Sequence, residues 1–142
     1  MNLQVALDTD GEFLLAVVRG TVSFDGIWRV LKEICDTALQ KKLTRILVDT
    51  LAAEGVTTTL DRYKLGVKLV NYCDENKLWP VLAFIGQPPV VNGFGVLVAR
   101  NRGLAIEQFP NWKQALEWMR PAKVRNSAEP VERDINKYLK TG

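Results

Sequence analysis

The sequence predicts an α/β fold: a mixed, mostly parallel five-stranded sheet with helices packed on it, in the order β-β-α-β-α-β-α-β-α. Three observations point to it. Leu3, Val5 and Leu7 alternate with polar or small neighbours ahead of a Thr9-Asp10-Gly11 turn and a β-prone run over 13–19, which is the pattern of a hairpin. Short unbroken apolar runs at Ile46-Leu47-Val48 and over 80–85 fit strands buried on both faces. Stretches of helical period lie between these runs. Strands that alternate with such helices need crossover connections and therefore form a mostly parallel sheet, made mixed by the hairpin.

The elements follow in order. Gly20 closes the second strand, and Ser23 can cap the first helix because its hydroxyl can accept from free backbone N–H groups. Phe24, Ile27, Leu31, Ile34 and Ala38 then recur at helical spacing, with Arg29, Lys32, Glu33, Asp36 and Gln40 on the other side. The run at 46–48 ends in Asp49 and reads as a central parallel strand followed by a polar connection. Thr58 and Asp61 form a Thr-x-x-Asp helix start, and the spacing predicts an inward stripe of Tyr63, Gly66, Val67, Val70 and Cys73, with Gly66 letting the helix approach the sheet. A strand over 80–85, a short helix over 92–102, a strand over 104–109 and a helix with Trp112, Ala115, Leu116 and Met119 inward complete a domain over 1–120.

Beyond it, 121–142 reads as a polar linker and a short helix. Val131, Ile135, Tyr138 and Leu139 fall at i, i+4, i+7 and i+8, so they share one face. A helix this short needs a docking surface, on its own domain or on a second subunit.

Composition narrows the chemistry. The 142 residues include no histidine, which removes Ser-His and Cys-His nucleophile pairs, imidazole bases and His-containing metal sites. Cys35 and Cys73 alone cannot assemble a four-cysteine zinc site, so no metal and no cofactor is expected. The net charge of +3 divides into +1 over 1–120 and +2 over 121–142, without a basic run or face, so nucleic acid is not an expected partner. The first residues have neither a basic start nor an apolar run of signal-peptide length, which makes the cytoplasm the expected location. The uncharged stretch 78–99 is long enough to span a bilayer, but Pro80, Gly86, Pro88, Pro89, Gly93 and Gly95 interrupt it, and it reads as strand, turn and helix rather than a membrane span.

The element order and several strings resemble the STAS superfamily, the anti-sigma-factor antagonist-like fold, in particular its stand-alone bacterial branch. The strings are Phe13-Leu-Leu-Ala-Val-Val-Arg-Gly-Thr-Val22, Arg45-Ile-Leu-Val-Asp49, Leu60-Asp-Arg-Tyr-Lys-Leu-Gly66, Val98-Ala-Arg-Asn-Arg-Gly103, and Phe109 followed by Ala115-Leu-Glu-Trp118. The resemblance implies a non-catalytic protein-interaction or regulatory module. It also implies a phosphoacceptor at the start of the helix after the central strand, where Thr57, Thr58 and Thr59 stand. Regulatory members carry an Asp-Ser-Ser/Ala-Gly type string there, and this chain has Val56-Thr-Thr-Thr-Leu60, so a plain threonine cap is the competing reading. A phosphate at that helix end would meet free N–H groups, with Arg62 one turn away. The alternative function is a small-molecule or lipid carrier, because STAS domains resemble the CRAL-TRIO fold; it predicts an apolar cavity between the sheet and the helix at 92–102.

Other candidates are weighed against ordinary structural roles. Arg100 and Arg102 are either an anion contact or cations at a helix C-terminus capped by Gly103. Asp49 ends a central strand at the edge where ligands gather, but a surface or loop-capping carboxylate is the commoner explanation of such a residue. Trp28 and Trp118 sit beside their helix stripes and, with the C-terminal helix, form the candidate interface of a homodimer.

Overall fold

The sheet is built by adding each strand beside the one before it. β1 (Gln4–Asp10) and β2 (Phe13–Thr21) form an antiparallel hairpin; β3 (Arg45–Glu54), β4 (Val81–Ile85) and β5 (Ala105–Phe109) then join in parallel, giving the order β1-β2-β3-β4-β5. The computed structural model describes residues 2–119, so the segment assigned above to a linker and terminal helix lies outside the described residues.

Each parallel step moves one strand in the same direction across the sheet. Crossovers of one hand therefore put their helices on one face. α1 (Phe24–Lys41), α2 (Thr59–Glu75) and α3 (Phe94–Asn101) share a core there with Leu14, Ala16, Ile46, Val48, Leu82 and Ile106. α4 (Trp112–Met119) is not a crossover and covers the other face, packing Trp112, Ala115, Leu116 and Met119 on Leu47, Ala83 and Ile85. Ile46 and Val48 point to one core and Leu47 to the other, which explains the unbroken apolar run at the sheet centre.

The helix starts are those the spacing predicts. Ser23 Oγ accepts from Gly26 N at 3.1 Å, and Thr58 Oγ1 accepts from Asp61 N at 3.0 Å. The α2 stripe differs from the expectation. Its buried positions are Arg62, Leu65, Gly66, Leu69, Val70 and Cys73, whereas Tyr63 is exposed and Val67 only half-buried. The helix is turned by about one position because Arg62 belongs to the inward face, and a stripe drawn through apolar residues alone leaves it out. Gly66 also serves a different contact: a Cβ there would lie 2.9 Å from Gly95 O and 2.9 Å from Val98 Cγ1, so it admits α3 rather than the sheet.

β3 continues past Asp49 to Glu54, beyond the expected end of the strand. β4 stops opposite Asp49, and from Ala52 onward the pairing is with β2. Covered on one edge only, this half of β3 loses the buried apolar pattern. The stretch over 78–99 contains β4, a turn and α3; among the described residues no helix is long and apolar enough to cross a membrane.

Candidate functional site

The carboxyl end of β3, the loop after it and the first turn of α2 form the candidate site. A β-bulge begins it: Val17 to Arg19 on β2 spans the same ladder as Asp49 to Ala52 on β3, leaving an extra residue. Asp49 secures the bulge, with Oδ1 accepting from Leu51 N at 2.8 Å and Oδ2 accepting from Trp112 Nε1 at 2.8 Å. Its role is therefore the loop-capping one.

From the bulge onward the chain presents large apolar side chains to solvent. Leu51, within the bulge itself, is 51% exposed, and past it Val56 at 67% and Leu60 at 59% flank the three threonines in sequence. Thr57 is half-buried, while Thr58 and Thr59 are exposed. Thr58 is the N-cap, its hydroxyl engaged by Asp61 N, so Thr59 is the exposed threonine whose hydroxyl does not cap the helix. Leu60 and Tyr63 are neighbours at i and i+3 on α2 and extend the apolar strip along its outer face.

The three arginines occupy different environments. Arg62 is only 7% exposed; its Nε donates to Thr57 O at 3.3 Å and its Nη2 to Pro89 O at 2.6 Å. Arg100 pairs with Glu107, and Arg102 Nη2 donates to Tyr63 OH at 3.1 Å with its guanidinium 5.4 Å from the ring centroid. Arg102 thus reaches the first turns of α2 through Tyr63, whereas Arg62 points inward from the same helix. Gly103, with φ of +100°, ends α3 in the left-handed conformation expected of it.

Beside Arg62 lies an apolar cavity of about 130 Å³. Val18 and Val48 of the sheet, Ile27 of α1, Leu65 of α2, and Val91 and Gly93 of the β4–α3 turn are among its walls. Its lining takes in Gly95 and Val96 of α3 together with residues of α1, α2 and the sheet, so it extends beyond the space between the sheet and α3 that the carrier reading expects.

The candidate interface residues are dispersed. Trp28 is half-buried, edge-on to Tyr72 at 5.7 Å between centroids, with Lys68 Nζ 5.0 Å from its own ring centroid. Trp118 packs on Phe109 at 5.5 Å and keeps 37% of its surface exposed. Val131, Ile135, Tyr138 and Leu139 lie outside the described residues. Trp79, 66% exposed just before β4 and so at the opposite end of the parallel strands, is a surface group that stripe-based reading passed over. Cys35 and Cys73 are both buried; contact with the Cys73 thiol first and burial second hold Cys35 well above the usual thiol range.

No protein-family model and no curated protein matches the sequence. Solved structures do. An anti-sigma factor antagonist from Mycobacterium paratuberculosis superposes with a TM-score of 0.55 at 13% identity, over 84% of this chain and 96% of that one. An uncharacterized protein of the DUF3478 family with a SpoIIAA-like fold, from Shewanella loihica PV-4, gives 0.50 at 18% identity, over 84% and 94%. With its hairpin, three parallel additions and helices on both faces of the sheet, the chain has a STAS-like fold.

Proposed function

We propose that this protein is a non-catalytic, cytoplasmic regulatory module that binds a protein partner through the β3–α2 surface, acts as a homodimer, and is switched by phosphorylation there. The observation that carries the reading is the exposure of Val56 and Leu60 on either side of the threonines. Large apolar side chains left exposed on a surface cost solvation that a partner relieves. The fold likeness to an anti-sigma factor antagonist supports a regulatory, partner-binding role. Thr59 is the acceptor this reading favours, because it is exposed at the positive end of α2 and its hydroxyl is not the cap. Arg102, held on Tyr63 at i+4 from Thr59, brings an exposed cation to that face. The test is intact-mass analysis with site mapping on protein isolated from its native host. One phosphate within 57–59 is expected; its absence across growth and stress conditions would remove the switch.

The cavity favours a second reading, a small-molecule carrier. Its volume is close to that of a cavity that accommodates a single benzene ring, roughly 150 Å³. That size suits a compact ligand better than a lipid chain.

A further inference from the structure

The carrier reading leaves one feature of the cavity without a purpose, the charge in its wall. Arg62 is more than nine-tenths buried among Leu65, Val91 and Gly93 of the cavity lining. A guanidinium cannot escape burial by losing its proton, as a lysine can, so the charge must be compensated where it stands. Two of its five N–H groups reach backbone carbonyls, Thr57 O and Pro89 O. Among the described residues no carboxylate lies within ion-pairing distance of it. Asp61, the acid next to it in sequence, is half-buried with its backbone N–H held by Thr58, and it makes no ion pair with Arg62.

The helix makes the imbalance larger. Arg62 lies in the first turns of α2, where the backbone already presents the positive end of the dipole, the unfavourable end for a cation. Burial without a counter-charge is costly, and a cation at this helix end adds to that cost. An anion seated against the free N–H groups of Arg62 would offset both. Apart from Thr50, Thr57 and Asn92 the rest of the lining is apolar, mostly valine, leucine and isoleucine with Phe84, which suits an apolar body better than a hydrated inorganic ion.

We infer that the cavity binds a compact apolar monocarboxylate, its carboxylate on Arg62 and its body, about the size of one aromatic ring, between the sheet and the α1–α2 layer. The inference rests on the carrier reading and adds the charge of the ligand to it. Arg62 Nε is tied to Thr57 O, so an occupant would also touch the loop that carries the three threonines.

The test uses the full chain and a matched pair of probes, benzoate and benzyl alcohol, which differ in charge but little in size. Calorimetric titration at neutral pH is expected to show benzoate binding at least about tenfold more tightly, the range of a charge-assisted hydrogen bond. Methyl NMR shifts are expected at Val18, Val48 and Leu65. Arg62→Met is expected to abolish the preference while benzyl alcohol still binds. Equal binding of the two probes would overturn the charge inference and leave the carrier reading standing; binding of neither would overturn both. Shifts confined to methyls outside the cavity would likewise overturn it. The probe comparison on the unaltered protein decides the matter even if the Arg62 variant does not fold.

Discussion

Asp49 accepts the indole N–H of Trp112 at 2.8 Å, joining the middle of the central strand, where the bulge begins, to the first residue of α4. Its other oxygen holds Leu51 N, so one side chain fixes both the bulge and the helix beneath it. Asp49→Ala withdraws the acceptor from two donors and is expected to destabilise the fold by about 1–3 kcal/mol; Asp49→Asn, which keeps an acceptor, is expected to lose less. Urea denaturation of the three proteins measures the difference. Equal stability of all three would show that the carboxylate is not structural.

Gly66 sets two effects against each other. Alanine in a helix interior is favoured over glycine by roughly 0.5–1 kcal/mol. Here the new methyl would stand 2.9 Å from Gly95 O, a backbone atom of α3 that cannot move without the helix. Overpacking of this kind costs about 1–3 kcal/mol, so Gly66→Ala is expected to destabilise, with the midpoint in urea as the readout. A higher midpoint would show that α3 can yield at this contact.

Tyr72 donates its hydroxyl to Asp36, and that hydrogen bond, ahead of burial and the nearby charge, pushes the phenol up to about 12 from 10.0. Because the folded value stands above the unfolded one, the contribution to stability is fully present below pH 10 and is lost as pH rises through 12. Ultraviolet titration of phenolate absorbance should therefore find one tyrosine ionising near 12, returning toward 10 in Asp36→Asn. An unchanged titration in that variant would contradict the assignment.

The homodimer has its own test. Sedimentation at several concentrations is expected to give a dimer, converted toward monomer by deletion of 122–142 or by Trp118→Ser. Its exposed indole is packed on one side by Phe109 and open on the other. A monomer at every concentration would remove the dimer from the account.

What could be read from the residues depended on whether the local pattern was purely apolar. Ile46, Leu47 and Val48 announced a strand covered on both faces because two cores demand an unbroken run. Ser23 and Thr58 announced helix starts because free backbone N–H groups need an acceptor. The second half of β3 was not legible, since the strand there pairs on one edge and buries little. Nor was the inward turn of Arg62: a charged residue on a helix is ordinarily assigned to solvent. Its spacing carried the signal, since Arg62 stands at i, i+3, i+4, i+7 and i+8 with Leu65, Gly66, Leu69 and Val70. Apolar exposure at Leu51, Val56 and Leu60 escaped for the opposite reason, because residues of their type are normally taken for core.

The β3–α2 surface is tested most directly by covalent capture in the native host. A photo-crosslinking amino acid placed at Leu60, and separately at Glu33 on the exposed side of α1 as a control, reports what touches each position when the cells are illuminated. The account predicts one discrete protein adduct from Leu60, weakened by Leu51→Ser with Val56→Ser, and none of that size from Glu33. No adduct at Leu60, or the same adduct from both positions, would contradict it.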